Sequence, residues 1–198
     1  EHRIKFVKQI PLPESFLGID NNLPSHIQST RKGLQLATRP FCVKLRSDEY
    51  FQDLKPVAQA ILNNPNKLVC SNIFFIPAIE GQSNSYFHVG NHFFAAQTNS
   101  LKLMFDIAWL DLQRFNESRL SVEGYLFYSF LKTKGVLIDG HNYNNEKTSN
   151  YLVKNHSICI DIERLKPYSW SVAGKYYKDD SYLYNNGFNK SIKSIEEL

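Results

Sequence analysis

The amino-acid sequence predicts an α+β fold: a mainly antiparallel sheet with one or two packed helices, plus a smaller β-rich C-terminal module. Three observations support this. Residues 68–96 hold two apolar, aromatic and β-branched runs, Leu68–Ile79 and Ser85–Ala96, around the polar cluster Glu80-Gly-Gln-Ser-Asn84, as two buried strands joined by a hairpin would. Leu54, Val57, Ala58, Ile61 and Leu62 recur at helical spacing. Apolar and polar residues alternate at 33–46 and again at 158–163, the two-residue period of a half-buried strand. With 198 residues, 42% hydrophobic and 14% aromatic, the chain is long and apolar enough to bury a core.

Each element follows from its own residues. In residues 1–30, Pro11, Pro13, Gly18, Asn21-Asn22 and Pro24 break any long element, leaving a short strand near Ile4–Ile10 and then irregular chain. From Gly33 to Arg46 the alternation predicts two strand pieces around Arg39-Pro40. The helix of residues 54–62 has Pro56 in its first turn and stops at Asn63-Asn-Pro65. After the hairpin, which is expected at the centre of the sheet, Leu101, Leu103, Phe105, Ile107 and Trp109 alternate with Lys102, Met104, Asp106 and Ala108, which predicts a strand. An aromatic-rich run, Leu120–Leu131, precedes Lys132-Thr-Lys-Gly135. The tract 140–150 is polar and rich in Asn, and reads as a linker. It separates an α+β domain, 1–139, from a small, basic, Tyr-rich module, 151–198, which opens on the strand of Ile158, Ile160 and Ile162 and ends in a helical piece at 191–198.

The net charge of +4 is unevenly spread. Residues 1–46 carry Arg3, Lys5, Lys8, Arg31, Lys32, Arg39, Lys44 and Arg46 against Glu1, Glu14 and Asp20, a local balance of +5. Such an end suits a phosphate backbone, because neutralised phosphates release counterions; it suits an ordinary solvated surface equally well. No apolar run reaches the roughly 18 residues of a membrane span, so no membrane crossing is expected. The opening Glu1-His-Arg-Ile-Lys-Phe6 has no apolar signal segment, and a chain without an initiator Met is expected to be a piece of a longer protein. Cys42, Cys70 and Cys159 have no metal-like spacing and read as buried free thiols of a reducing compartment, cytoplasmic or nuclear.

Candidate chemistry is sparse. His88 and His92 on one strand would share a face about 13 Å apart, too far to share an ion, so no metal site is expected. Asp106, Asp111, Glu117, Glu123 and Asp139 are the acids from which a metal-dependent nuclease would draw its ligands, although their spacing does not bring them together. There is no Gly-x-Ser-x-Gly, no Gly-rich phosphate loop and no Cys-x-x-Cys, so neither a cofactor nor a catalytic set is expected.

Four pieces in order resemble the N-terminal domain and first linker of the Argonaute family, over residues 55–139. Lys55-Pro-Val-Ala-Gln-Ala-Ile-Leu62 is similar to the helix that closes that domain, and Val89-Gly-Asn-His-Phe-Phe94 to the Val-Gly-Arg-x-Phe-Phe signature that follows it. Leu101-Lys-Leu-Met-Phe-Asp-Ile-Ala-Trp109 takes the place of the next strand. Leu120 to Asp139, ending Phe130-Leu-Lys-Thr-Lys-Gly-Val-Leu-Ile-Asp139, resembles the linker strand leading toward the PAZ domain. Departures are Asn91-His92 for Arg-Ser, Ser121-Val-Glu-Gly124 for Asn-Val-Asp-Val, and a Leu110-Asp-Leu-Gln-Arg114 that lacks the family's Ser and Pro.

The resemblance implies a non-catalytic part of a small-RNA-guided silencing protein that braces a duplex. Its partners would be a small RNA guide, the target RNA and the remaining domains of a longer parent. RNA contacts would fall on Arg31, Lys32, Arg39, Lys44, Arg46, Lys132, Lys134, Lys175, Tyr176 and Tyr177, by phosphate contact and stacking. Two other readings stand beside it: a protein-interaction or structural domain with no RNA role, and the metal-dependent nuclease.

Overall fold

The computed structural model describes residues 11–13, 16, 19, 22–46, 49–72, 75–136, 145–165 and 167–169. In chain order its helices are α1 (Leu23–Gln35), α2 (Lys55–Asn63), α3 (Thr98–Leu110), α4 (Phe115–Ser118), α5 (Val122–Thr133) and α6 (Glu146–His156). Its strands are β1 (Phe41–Leu45), β2 (Glu49–Phe51), β3 (Leu68–Ser71), β4 (Gly90–Gln97), β5 (Ser157–Ile160) and β6 (Pro167–Ser169). The α+β expectation holds: the described residues build a four-stranded mixed sheet and six helices.

The strand order is β1-β4-β3-β5. β4 is antiparallel to β1 and to β3, and β3 is parallel to β5. β4 therefore lies inside the sheet, hydrogen-bonded on both edges and buried along most of its length. Its side chains alternate between two cores, as the strand period requires. Phe93 and Ala95 meet Val69, Ile160 and the α2 residues Val57 and Ile61 on one face. Phe94 and Ala96 meet Leu68, Cys70 and the layer of α1, α3, α5 and α6 on the other. β2 and β6 form a separate two-stranded ribbon.

The expected pair of buried strands is present as β3 and β4, but the first ends at Ser71, and residues 75–89 form a long connection in place of a tight turn. The α2 pattern holds to within one residue at each end. Three expected extended stretches are helical. Gly33–Gln35 belongs to the end of α1, which Pro24 does not break because proline is tolerated in a first turn, where its missing N–H has no helical partner. Leu101–Trp109 is α3: Leu101, Met104, Phe105 and Ala108 are buried at i, i+3, i+4 and i+7, whereas Leu103 is 48% exposed, the reverse of what alternation demands. Residues 122–131 lie in α5, in which every side chain from Tyr125 to Leu131 is buried, so aromatics surround the helix and no amphipathic period shows.

β5 occupies the expected strand at Ile158–Ile160 and completes the sheet beside β3. Residues 146–150 of the polar tract open α6, capped by the Asn145 side chain, which accepts from the Thr148 backbone N–H at 3.1 Å. The expected strand near Ile4–Ile10 and the helical piece at 191–198 lie outside the described residues.

α5 begins at Ser121, whose hydroxyl accepts from the Gly124 backbone N–H at 3.0 Å. An added Cβ on Gly124 would collide with the Tyr86 carbonyl oxygen. Glycine-to-alanine in a helix ordinarily gains up to about 1 kcal/mol. Here overpacking reverses the sign, and Gly124→Ala is expected to lose about 2 kcal/mol in chemical denaturation. An unchanged or raised midpoint would mean that the start of α5 does not abut the 86–88 segment.

Candidate functional site

Because β4 runs against its neighbours, β1, β3 and β5 are mutually parallel, and their carboxyl ends share one edge of the sheet with the start of β4. In open α/β sheets that edge is where ligands bind, since the loops leaving it carry side chains that the sheet interior does not need for packing. The edge brings together Lys44 and Arg46 at the end of β1, Ser71 and Asn72 at the end of β3, Asp161 just after β5, and His88, Asn91 and His92 from the approach to β4 and its first residues. The pairing shifts between Cys70, opposite Phe94, and Ser71, opposite Gly90, so β4 bulges where Asn91 and His92 lie. Bulges re-aim side chains at such places.

Two helices complete the edge. The first turn of α5 presents Glu123, whose carboxylate accepts from the Asn91 amide at 2.8 Å and lies 3.6 Å from His88 Nε2. Gly124 makes this possible by letting the helix start press on the Tyr86 carbonyl. The Lys44 ammonium lies 3.5 Å from the Asn91 carbonyl oxygen. At the far side of the edge the Asn72 amide donates to Asp161 at 3.1 Å, and its backbone N–H to Ile160 O at 3.0 Å. Beside them the Ser71 hydroxyl is fully buried without a hydrogen-bond partner among the described residues. A buried unsatisfied hydroxyl costs about 1–3 kcal/mol, a cost that is tolerated at functional sites.

α1 contributes His26, packed edge-on to Phe105 with ring centroids 6.1 Å apart. Burial, then the charges of Lys44 and Arg46, hold its imidazole down to about 3, so it is neutral at physiological pH. It is an uncharged wall of a positively charged corner.

The remaining sequence candidates are dispersed. Arg31 donates to Asp106 at 2.7 Å and lies over the Trp109 ring, binding α1 to α3. Lys132 pairs with Asp111, binding α5 to the end of α3. Lys134 donates to the Ser100 hydroxyl at 3.3 Å, and burial lowers its pKa. Lys32 sits in the last turn of α1, and Arg39 lies before β1 on the opposite edge of the sheet. Lys175, Tyr176 and Tyr177 lie outside the described residues, as does Asp139. The acids proposed for a nuclease thus part ways, two of them into ion pairs with Arg31 and Lys132. Among the described residues no three His, Cys, Asp or Glu side chains are placed to hold a metal. Sequence reading missed His26, Ser71, Asn72 and Asn91. The only signal was polar residues at the ends of apolar runs, as in Leu68-Val-Cys-Ser-Asn72 and Ile158-Cys-Ile-Asp161.

Residues 17–161 match the family described as WavE lipopolysaccharide synthesis. No curated protein and no solved structure matches the chain. The family match corrects the Argonaute resemblance. With it fall the RNA-silencing role, the RNA-binding assignment, and the small RNA guide and target RNA as partners. It supports neither alternative reading. The resemblance rested on short core patterns: Val89, Phe93 and Phe94 of the Val-Gly-x-x-Phe-Phe signature are fully buried packing residues, and the two stretches taken for linker strands are α3 and α5. Any packed strand or buried helix demands such residues.

His26 makes stability pH-dependent. Below about pH 6.5 the unfolded chain binds a proton there that the folded chain refuses until about pH 3, so stability present above 6.5 is lost as pH falls. The slope is up to about 1.4 kcal/mol per pH unit. Urea midpoints measured from pH 7 to pH 4.5 are expected to fall more steeply for the parent than for His26→Phe. Equal slopes would show that His26 accepts its proton in the folded state.

Proposed function

The chain belongs to the WavE lipopolysaccharide synthesis family, and from that premise we propose that it serves this synthesis by binding a saccharide intermediate at the carboxyl edge of its sheet. The observation that carries this reading is the convergence of Glu123, Asn91 and His88, with one carboxylate 2.8 Å from an amide nitrogen and 3.6 Å from an imidazole nitrogen. A sugar hydroxyl donates and accepts at once, so it is read by a carboxylate that accepts beside an amide or imidazole that does either. Asn72 and Asp161 repeat the amide–carboxylate pairing at the ends of β3 and β5. Lys44 and Arg46 add positive charge for a phosphate or carboxylate substituent.

That the chain is not by itself a complete enzyme is part of this proposal: the described side chains supply binding and positioning. The His88–Glu123 pair favours a second reading. An imidazole oriented by a carboxylate in a partly buried site is suited to take a proton from an acceptor hydroxyl during sugar transfer. We place either role in a reducing compartment, on the ground that Cys42, Cys70 and Cys159 are free thiols although Cys70 and Cys159 are register partners on adjacent strands.

Titration with a hexose 1-phosphate, followed by NMR, is expected to give saturable binding. Glu123→Gln and Asn72→Ala should each weaken it about tenfold or more, the loss of a hydrogen bond to a charged group, without altering the circular dichroism. Unchanged affinity in both variants would end the proposal. Sugar transfer whose rate rises with pH in the parent but not in Glu123→Gln would establish the second reading.

A further inference from the structure

The edge of the sheet opposite the candidate site holds a cavity of about 630 Å³, between the end of α1, the start of β1, the end of β4 and the first turn of α3. Its polar lining is Gln35, Thr38, Arg39, Gln97, Thr98, Asn99 and Lys102: two cations, five amide or hydroxyl side chains and, among the described residues, no carboxylate. Its walls are fixed from within the fold. The Thr98 hydroxyl donates to the Arg39 carbonyl at 2.6 Å, the Thr98 backbone N–H to the Pro40 carbonyl at 2.9 Å, and the Lys102 ammonium to the Ala37 carbonyl at 3.1 Å. The 37–40 turn is thereby tied to α3, and the cavity is formed before any ligand arrives, which removes an ordering cost from binding.

We propose that this cavity is a second binding site, for a saccharide of one or two rings that carries a phosphate or carboxylate group. Its volume suits such a ligand. The amides of Gln35, Gln97 and Asn99 and the Thr38 hydroxyl are groups that read sugar hydroxyls, Phe41 offers a sugar's C–H face an apolar wall, and Arg39 with Lys102 answers the anionic substituent. The site lies beyond the far end of β4 from Glu123. The seven steps along β4, at about 3.3 Å each, place the two on the order of 20 Å apart, so a small ligand here does not react with one at the carboxyl edge. The cavity instead holds a separate molecule, or a remote part of a long saccharide.

The test is a set of titrations on the intact chain with hexose 6-phosphate, a hexuronic acid, the unsubstituted hexose and inorganic phosphate. Hexose 6-phosphate or the hexuronic acid is expected to bind at least about tenfold more tightly than hexose or phosphate alone, and the stronger of the two identifies the anionic group. Arg39→Gln and Asn99→Ala are expected to weaken that binding about tenfold or more, whereas Glu123→Gln leaves it unchanged. Arg39 and Asn99 are exposed, so both variants should fold, which circular dichroism checks. Inorganic phosphate binding as tightly as the sugar phosphate would reduce the site to a simple anion patch and overturn the proposal. So would binding lost in Glu123→Gln but kept in Arg39→Gln, which would assign the probe to the carboxyl edge alone.

Discussion

The structure depends on β4 running against the strands beside it while buried on both faces. Phe93 and Phe94, adjacent in sequence, fill two different cores, each contributing on the order of 2–3 kcal/mol of apolar burial. A one-residue slip in pairing would exchange their faces and bring His92 and Asn91 into both cores, so the register is strongly specified. Since β4 is the only antiparallel member, its placement between β1 and β3 makes the other three strands parallel to one another. The convergence of their carboxyl ends at one edge, and of α1, β1 and α3 around a cavity at the other, is a direct geometric consequence.

The carboxyl edge is less well satisfied than the rest of the fold. Elsewhere the Tyr125 hydroxyl donates to the Ala108 carbonyl at 2.8 Å between α5 and α3, and the Ser129 hydroxyl to the Tyr125 carbonyl at 3.0 Å, while the buried side-chain oxygen of Gln28 on α1 is left without a partner among the described residues. At the edge the Ser71 hydroxyl is unsatisfied, and His26 is held neutral close to two cations. Stability given up chiefly along one edge is the pattern of a site arranged for a ligand.

Much of the sheet was legible in the sequence, because β3 and β4 are continuous apolar runs and α2 packs one regular face. Leu68–Ile79 and Ser85–Ala96 read as buried strands because two apolar, β-branched and aromatic runs flank the polar cluster 80–84; β3 opens the first run, and β4 takes up the second half of the other. α3 was misread because Leu101, Leu103, Phe105, Ile107 and Trp109 happen to satisfy a two-residue period, while the residue that decides the matter, Met104, was taken as the outward face. α5 was illegible as a helix because it is enclosed by packing on all sides and so has no polar face to reveal its period. The site was harder still. His26, Lys44, Asn72, Asn91, Glu123 and Asp161 come from six separate elements or their ends, and only pairing across the sheet makes them neighbours.

Charge is distributed by the same logic. The +4 excess first suggested a surface for a polyanion, but some of the cations concerned are structural. Arg31 with Asp106 and Lys132 with Asp111 join α1, α3 and α5 into one helical layer, and partly buried pairs of this kind fix register more than they add stability. Two groups of cations remain at the ends of the sheet: Lys44 and Arg46 at the carboxyl edge, Arg39 and Lys102 at the opposite one. Each group stands among amides that are held by the backbone geometry of a strand end or a tied turn. Positive charge set in a frame of hydroxyl-reading amides selects for a polar ligand carrying an anionic group, whereas the same charge spread over a helix face would attract any polyanion.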